Sequence, residues 1–203
     1  MSNTVDLSFR ISGGLLPIDH ELVLAHALVN LMPWLESEKS VGILPIARGC
    51  WTTEGLLLGH RAQLVLRIPS SRVAEASRLS GLSLPIFGGL NLGAATCRDV
   101  QLTSTQYSAM VALGGDNETA FLQSCERHLA SLGIRARMIS GHRQHRLTEN
   151  GKLTGFSLML HELSLEHCRL LQQEGIGSGR LLGCGIFVAH KSVVAVGAES
   201  FPP

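Results

Sequence analysis

A glycine-rich run near the end of the chain limits most strongly what this sequence can fold into. Five glycines fall within eleven residues, at positions 175, 177, 179, 183 and 185, with Arg180 among them and His190-Lys191 closing the run. Glycine costs backbone entropy on folding, so this density predicts backbone conformations that other residues refuse, or the close approach of a partner. Because amide-rich loops that contain an arginine suit phosphate groups, the run predicts a loop that binds a phosphate-bearing ligand.

The spacing of this run excludes two kinds of nucleotide site. A Walker-type loop ends in Gly-Lys-Ser/Thr, whereas Gly179 is followed by Arg180-Leu181. A dinucleotide fingerprint is followed by a helix and the rest of a βαβ unit. The residues after the run instead have strand patterns, at 186–188 and 193–196. The sequence therefore predicts a glycine-rich loop just before a closing strand.

Composition narrows the class of protein and its compartment. The 203 residues suffice for one ordinary domain or two small ones. No apolar run approaches the roughly 18 to 20 residues of a membrane span, and residues 1–6 carry no secretory signal pattern. The five cysteines are an odd number without a Cys-x-x-Cys pair, which favours a reducing compartment and argues against a zinc site. We expect a cytoplasmic protein without membrane association, metal or cofactor.

The positive charge is mostly arginine and is unevenly distributed. The net charge is only +1, but three of the 17 cationic residues are lysine and the other fourteen are arginine. Arginine makes bidentate phosphate contacts and stacks on bases, so this bias suits RNA, although GC-rich codon usage would produce the same bias. Residues 1–58 carry six acids against three cations, whereas residues 135–152 carry five cations against Glu149 alone. The second half is therefore expected to present the positive face.

The hydrophobic pattern predicts the same element order twice. In the first pass, alternation at 5–11 predicts a strand, and Asp19 is expected to cap a helix through about Leu35. Strands are predicted near 43–48, 61–68, 82–87 and 90–92, with a helix from Ser70 or Ser71 to about Leu79. The second pass has strands near 107–113, 134–139, 143–147, 155–160 and 186–188. Its helices are predicted at about 117–131 and after Ser164.

These patterns predict an α+β fold made of two tandem ferredoxin-like (RRM-like) β-α-β-β-α-β domains, with the glycine-rich loop near the C-terminus. The expected boundaries are 1–98 for the first domain, 99–106 for a linker and 107–203 for the second domain. The boundary rests on a change of composition over residues 98–106.

The chain resembles the CRISPR precursor-RNA endoribonucleases, the Cas six family, most closely the compact branch of type I systems and their transposon-associated relatives. The resemblance covers nearly the whole chain and rests on four segments: Leu7-Ser-Phe-Arg-Ile11, Leu16-Pro-Ile-Asp-His20, Val41-Gly-Ile-Leu-Pro-Ile46 and Gly183-Cys-Gly-Ile-Phe187 with His190-Lys191. It implies metal-independent cleavage of CRISPR repeat RNA beside a stem-loop, with a 2′,3′-cyclic phosphate product. It also implies that the protein stays on the 3′ stem-loop of the crRNA, with other subunits of a type I or transposon-associated complex as partners.

Metal-free RNA cleavage needs a base for the 2′-hydroxyl, and His20 is the best candidate. The start of a helix disfavours positive charge, which would keep the imidazole neutral and able to accept a proton. An exposed histidine without a task is the alternative. His26 lies some 120° around the helix from His20, closer to Asp19 and Asn30, so it either belongs to that polar stripe or is a second candidate base.

The sequence around His142 predicts a basic hairpin along the RNA backbone. His142 and His145 lack the carboxylate or thiol partners of a metal site. Arg143 and Arg146 are the expected main phosphate contacts, although an ordinary charged hairpin would have the same sequence. With an RNA substrate implied, the place of the glycine-rich run before the last strand suggests that it supports an RNA backbone or a stem-loop. The remaining predicted RNA contacts are Arg135, Arg137, Lys152, Gly177, Ser178, Gly179, Arg180 and Lys191.

Other functions stay open at this point. A subunit that binds repeat RNA but scarcely cleaves it would share the basic hairpin and differ at His20. An unrelated RRM-like protein is disfavoured, because neither half has the aromatic motif that stacks bases. A small-molecule enzyme would need a constellation of catalytic residues that the sequence does not show.

Overall fold

The structure is a computed structural model that describes residues 4–115 and 117–190. The described chain packs as two compact units. Unit 1 consists of residues 4–100, 146–152 and 180–183, and unit 2 consists of the other described residues. Two short segments from the second half of the sequence therefore belong to unit 1. The division at 99–106 stays a prediction, and Lys191 and the strand predicted at 193–196 lie outside the described residues.

Unit 1 contains two sheets and three α-helices. Its strands are β1 (Thr4–Ser12), β2 (Leu15–Leu16), β3 (Gly42–Ile43), β4 (Gly49–Thr52), β5 (Gly55–Leu58), β6 (Gln63–Pro69), β7 (Ser83–Leu84) and β8 (Leu90–Asp99). Its α-helices are α1 (His20–Leu31), α2 (Trp34–Ser37) and α3 (Val73–Ala76), with single 3₁₀ turns at Ser70–Arg72, Ser77–Leu79 and Arg180–Leu182.

The main sheet of unit 1 has the strand order β3-β6-β1-β8-β7, and β2-β5-β4 form a second, smaller sheet. Strand β1 is central, with antiparallel β6 and β8 on its two sides. Its alternating residues Leu7, Phe9 and Ile11 are buried, as the period-two pattern predicts. The order β3-β6-β1-β8 within this sheet is that of a ferredoxin-like β-α-β-β-α-β unit, in which helices α1 and α3 are the connections.

Unit 2 repeats this arrangement. Its elements are β9 (Gln106–Val111), α4 (Glu118–Ser131), β10 (Arg137–Thr148), β11 (Gly151–His161), α5 (Leu165–Glu174) and β12 (Val188–Ala189), except that the end of β10 and the start of β11, within residues 146–152, belong to unit 1. The sheet order is β10-β11-β9-β12, again ferredoxin-like. The side chain of Ser164 accepts a hydrogen bond from the His167 amide and caps α5, as predicted. The predicted α+β fold with two tandem ferredoxin-like units is confirmed.

Prolines account for several differences from the predicted elements. The helix predicted through Leu35 ends at Leu31, and Pro33 separates it from α2. The strand predicted at 43–48 ends at Ile43, two residues before Pro45, and the one predicted at 82–87 ends before Pro85. Strand β8 runs on to Asp99, into the segment whose composition suggested a boundary.

The start of α1 also differs from the prediction. Asp19 occupies the N-cap position, but its side chain makes no capping hydrogen bond. The carbonyl of Pro17 accepts instead from the amide of His20, at 3.2 Å. The expected Asp19 cap was therefore wrong, and a turn that begins at Pro17 fixes the first residue of the helix.

Candidate active site and RNA-contacting surface

His20 is held at the start of α1 by the preceding turn. Its ring Nδ1 lies 2.8 Å from the carbonyl oxygen of Pro17. Because a carbonyl oxygen only accepts, Nδ1 carries the hydrogen, and in a neutral imidazole Nε2 then has the free lone pair. The residue is only 2% exposed, which differs from the exposed histidine that the sequence left as the alternative. The local geometry thus leaves Nε2 as the nitrogen able to take a proton.

The sequence analysis missed Glu21, which connects His20 to the basic hairpin. Its Oε1 lies 3.0 Å from Nε of Arg146, in the part of the hairpin that belongs to unit 1. Its Oε2 lies 4.0 Å from Nδ1 of His20. The side chains of Glu21 and Arg146 are only 14% and 18% exposed, so solvent screens their attraction less than in an ordinary surface pair. The predicted phosphate contact Arg146 is thereby brought next to the predicted base.

His26, the second candidate base, lies on a more exposed part of α1. Its Nε2 is 3.1 Å from Oε1 of Glu149, the only acid in the basic stretch 135–152. Half of the His26 side chain is exposed, and Glu149 is more exposed still. Such surface pairs contribute only about 0–1 kcal/mol. His26 is thus close to the same hairpin end, with a carboxylate beside the nitrogen that a base would use.

Trp51 is a second residue that the sequence analysis missed. It lies on β4, pairs with Leu56 of β5, and has its ring centroid 6.1 Å from that of His20, at an angle of 39° between planes. The side chain is exposed by 51%, although directly opposite residues share a face and Leu56 is buried. The sequence analysis predicted no strand over residues 49–52, and nothing in the sequence linked Trp51 to His20.

The hollow beside His20 is small. It is lined by His20, Glu21, Leu24, apolar residues of 43–46 and the 181–183 segment, and its volume is about 10 Å³. This volume holds no more than about one water molecule. A nucleotide must therefore reach His20 from outside this hollow.

The glycine-rich run is packed by its backbone rather than open. The amide of Ser178 donates to the carbonyl of Ala112 at 3.0 Å, and a Cβ on Gly177 would lie 2.3 Å from the same oxygen. Gly179 has φ of +80°, and its carbonyl accepts from the Cys184 amide. RNA contact by Gly177, Ser178 and Gly179 stays a prediction. The packing of their backbone on Ala112 does not support the phosphate-binding loop that the glycine spacing predicted.

The guanidinium of Arg180 donates its hydrogen bonds to the backbone of the protein itself. Its Nε donates to the carbonyl of Val41 at 2.8 Å, and its Nη2 donates to that of Ser40 at 3.0 Å, all within unit 1. These bonds attach the 180–183 segment next to β3. The phosphate contact predicted for Arg180 stays untested, but the geometry gives the guanidinium a structural task.

The hairpin of β10 and β11 carries most of the other predicted RNA contacts. The exposed ones are Arg137, His142, Arg143, His145 and Lys152 on the hairpin, with Arg135 just before β10. Arg137 Nε lies 3.1 Å from Oε2 of Glu162, and His145 Nδ1 lies 3.1 Å from Oγ1 of Thr154. Arg143 and Lys152 have no ion-pair partner among the residues that the structure describes. They are therefore the hairpin cations that can approach a phosphate without breaking an existing pair.

Residues 4–115 and 117–190 lack two features that would point to other classes of protein. They contain no group of three or more His, Cys, Asp or Glu residues placed to hold a metal ion. They also contain no helix long and apolar enough to cross a membrane.

Known proteins resemble the chain over most of its length. The sequence profile of a family described as Cas6 Crispr matches residues 5–192. A CRISPR-associated endonuclease Cas6 from Myxococcus xanthus strain DK1622 is 34% identical over 186 residues, which cover 91% of this chain and 80% of that protein.

Solved structures share the fold at low sequence identity. One, from the characterization of a Cas6-related gene of Pyrococcus furiosus, has a TM-score of 0.65 at 12% identity and covers 91% of this chain and 98% of its own. Another is Thermus thermophilus Cse3 bound to an RNA representing a pre-cleavage complex. It has a TM-score of 0.56 at 11% identity and covers 91% of this chain and 98% of its own. At such identities the likeness shows the fold alone.

Proposed function

This chain belongs to the Cas6 family of CRISPR-associated endonucleases, and from that premise we propose that it cleaves CRISPR repeat RNA beside a stem-loop without a metal ion. We further propose that it stays bound to the 3′ stem-loop of the product as part of a type I or transposon-associated complex. The observation that carries the proposal is the contact of His20 Nδ1 with the Pro17 carbonyl, which leaves Nε2 as the proton acceptor.

In the proposed reaction, Nε2 of His20 takes the proton of the 2′-hydroxyl on the nucleotide before the cut. The 2′-oxygen attacks the adjacent phosphorus, the bond to the 5′-oxygen breaks, and the leaving oxygen takes up a proton. The products are a 2′,3′-cyclic phosphate and a 5′-hydroxyl end. A positioned base of this kind contributes about 10²–10⁴-fold to the rate.

Two further groups have roles in the proposal. Arg146, paired with Glu21 at 3.0 Å, offsets the negative charge that develops on the phosphate oxygens. His26, next to Glu149, is the candidate donor of the proton to the leaving oxygen and the alternative base. Arg143 and Lys152 bind the phosphates of the stem.

A subunit that binds repeat RNA with little or no cleavage is the second candidate function. The burial of His20 favours it, because a base has to reach the 2′-hydroxyl and this imidazole is 2% exposed. The two functions share the hairpin contacts and differ in whether His20 touches the RNA.

The test uses stem-loop repeat RNA labelled at its 5′ end, with the protein in EDTA. The variants are His20→Ala and His26→Ala, and His128→Ala on α4 of unit 2 is the matched control. We expect a 2′,3′-cyclic phosphate product with wild type and the control, and a large loss with His20→Ala. A 2′-deoxy nucleotide before the cut should stop the reaction. Tight binding without any product would favour the binding subunit, and cleavage by His20→Ala at the wild-type rate would remove His20 as the base.

A further inference from the structure

We propose that Trp51 is a stacking platform for the nucleobase beside the scissile phosphate. This inference rests on the proposed function, because it places that phosphate at His20. The ring of Trp51 lies 6.1 Å from that of His20, and the residue is 51% exposed. A base laid on the exposed part of the indole therefore has its ribose and 3′-phosphate close to the imidazole.

The comparison with the other tryptophan shows that Trp51 is not simply part of the core. Trp34 is 8% exposed, belongs to the core of unit 1, and has the guanidinium of Arg72 5.0 Å above its ring. Trp51 is held in place by β4, which pairs with β5 from Gly49 to Thr52, but about half of its surface stays uncovered. The pairing thus fixes the backbone that carries this exposed ring, so that stacking a base on it would require little further ordering of the backbone.

Positive charge at the ends of β4 and β5 favours a nucleic acid as the occupant. Arg48 precedes β4, Arg61 follows β5, and the two line one shallow cleft with Gly59 and His60. Neither arginine has an ion-pair partner among the described residues. Aromatic rings beside a positively charged groove are typical of single-stranded nucleic acid sites, where bases stack and the backbone follows the cations.

Stacking on Trp51 would also align the reacting atoms. In-line attack needs the 2′-oxygen, the phosphorus and the 5′-oxygen close to a line, which a regular stacked strand does not provide. Turning one base out of the stack and onto Trp51 rotates its ribose and frees this alignment. Trp51 is then a substrate-binding residue that selects an unpaired nucleotide at the cut, whereas His20 takes the proton.

The two tryptophans allow a direct test. In the Trp34→Phe variant, Trp51 is the sole tryptophan, and its fluorescence is excited selectively over that of Tyr107. We expect the 2′-deoxy repeat RNA, which binds but is not cleaved, to quench its fluorescence in a saturable way. Binding is followed in parallel by the anisotropy of a dye on the RNA. Binding by anisotropy without quenching would overturn the inference.

Substitutions of Trp51 itself separate stacking from bulk. Trp51→Leu should weaken RNA binding or cleavage about 5- to 100-fold, and Trp51→Phe should retain most of both, because only the phenyl ring can stack. A melting temperature equal to wild type shows that Trp51→Leu is folded. If that folded variant cleaves and binds as wild type does, the inference is wrong. Quenching and a loss of binding in Trp51→Leu, with no cleavage by any form, would keep the stacking role and refute the nuclease proposal.

Discussion

Replacing Gly177 by alanine is expected to destabilise the protein far more than the same change at Gly133. Both glycines lie in unit 2 and have similar left-handed backbone angles, with φ of +80° and +70°. A Cβ on Gly177 would lie 2.3 Å from the Ala112 carbonyl oxygen, whereas one on Gly133 would meet nothing within 4 Å. The pair therefore separates backbone strain from steric conflict.

The magnitudes follow from these two contributions. The left-handed conformation costs a non-glycine residue about 1–2 kcal/mol, which is the whole effect expected at Gly133. At Gly177 the oxygen belongs to the backbone and accepts from the Ser178 amide at 3.0 Å, so relief of the clash lengthens that hydrogen bond. A lost or strained buried hydrogen bond adds about 1–3 kcal/mol. We expect Gly177→Ala to cost about 3–4 kcal/mol in the free energy of unfolding.

Urea unfolding followed by circular dichroism measures the two free energies, and anisotropy with stem-loop RNA measures affinity at a temperature where both variants are folded. The expected result is a stability gap of about 2 kcal/mol between the variants, with RNA affinity within about threefold of wild type. Equal stabilities combined with a selective tenfold loss of RNA affinity at Gly177→Ala would refute this reasoning. That result would support the interpretation that the glycine-rich run binds a phosphate of the RNA.

Three other predictions concern the hairpin and the thiols. Glu21→Gln should slow cleavage about 10- to 100-fold with little change in RNA affinity, because Arg146 loses the carboxylate that positions it. Single-turnover kinetics measure the cleavage rate, and an unchanged rate would contradict the prediction. Arg143→Ala should reduce the slope of log affinity against log salt by about one, whereas Arg137→Ala, whose guanidinium is already paired with Glu162, should change the slope less. Burial raises the pKa of the Cys125 thiol to about 12 and also raises the pKa of Cys168. At pH 8 the native protein should therefore react with iodoacetamide first at the exposed Cys50 and Cys97. Early labelling of Cys125 in a mass spectrum would contradict that order.

The fold could be predicted because its pattern is local. Alternation in β1 and β6 and the turn residues between elements gave the order β-α-β-β-α-β twice, and the confirmed family resemblance covered the same residues. Prolines at 33, 45 and 85 shortened elements, because proline lacks the backbone donor that a helix or strand needs.

Much of the candidate site could not be predicted, because it depends on pairings far apart in the chain. Glu21 meets Arg146 and His26 meets Glu149, more than a hundred residues away in each case, and no local pattern indicates either contact. Trp51 was missed for the same reason, since it reaches His20 through a small sheet whose strands are only two to four residues long. The glycine-rich run was detected correctly as a backbone constraint, but sequence alone could not tell packing on Ala112 from contact with phosphate.

The central claim is that Nε2 of His20 takes the proton of the 2′-hydroxyl without help from a metal. The most direct measurement is the single-turnover rate of repeat RNA cleavage in EDTA for wild type and His20→Ala, at RNA-saturating protein. We predict a rate about 10²–10⁴-fold lower for the variant, with unchanged RNA affinity and a wild-type rate that EDTA does not alter. Equal rates for the two proteins, or a wild-type reaction that EDTA abolishes, would contradict the claim.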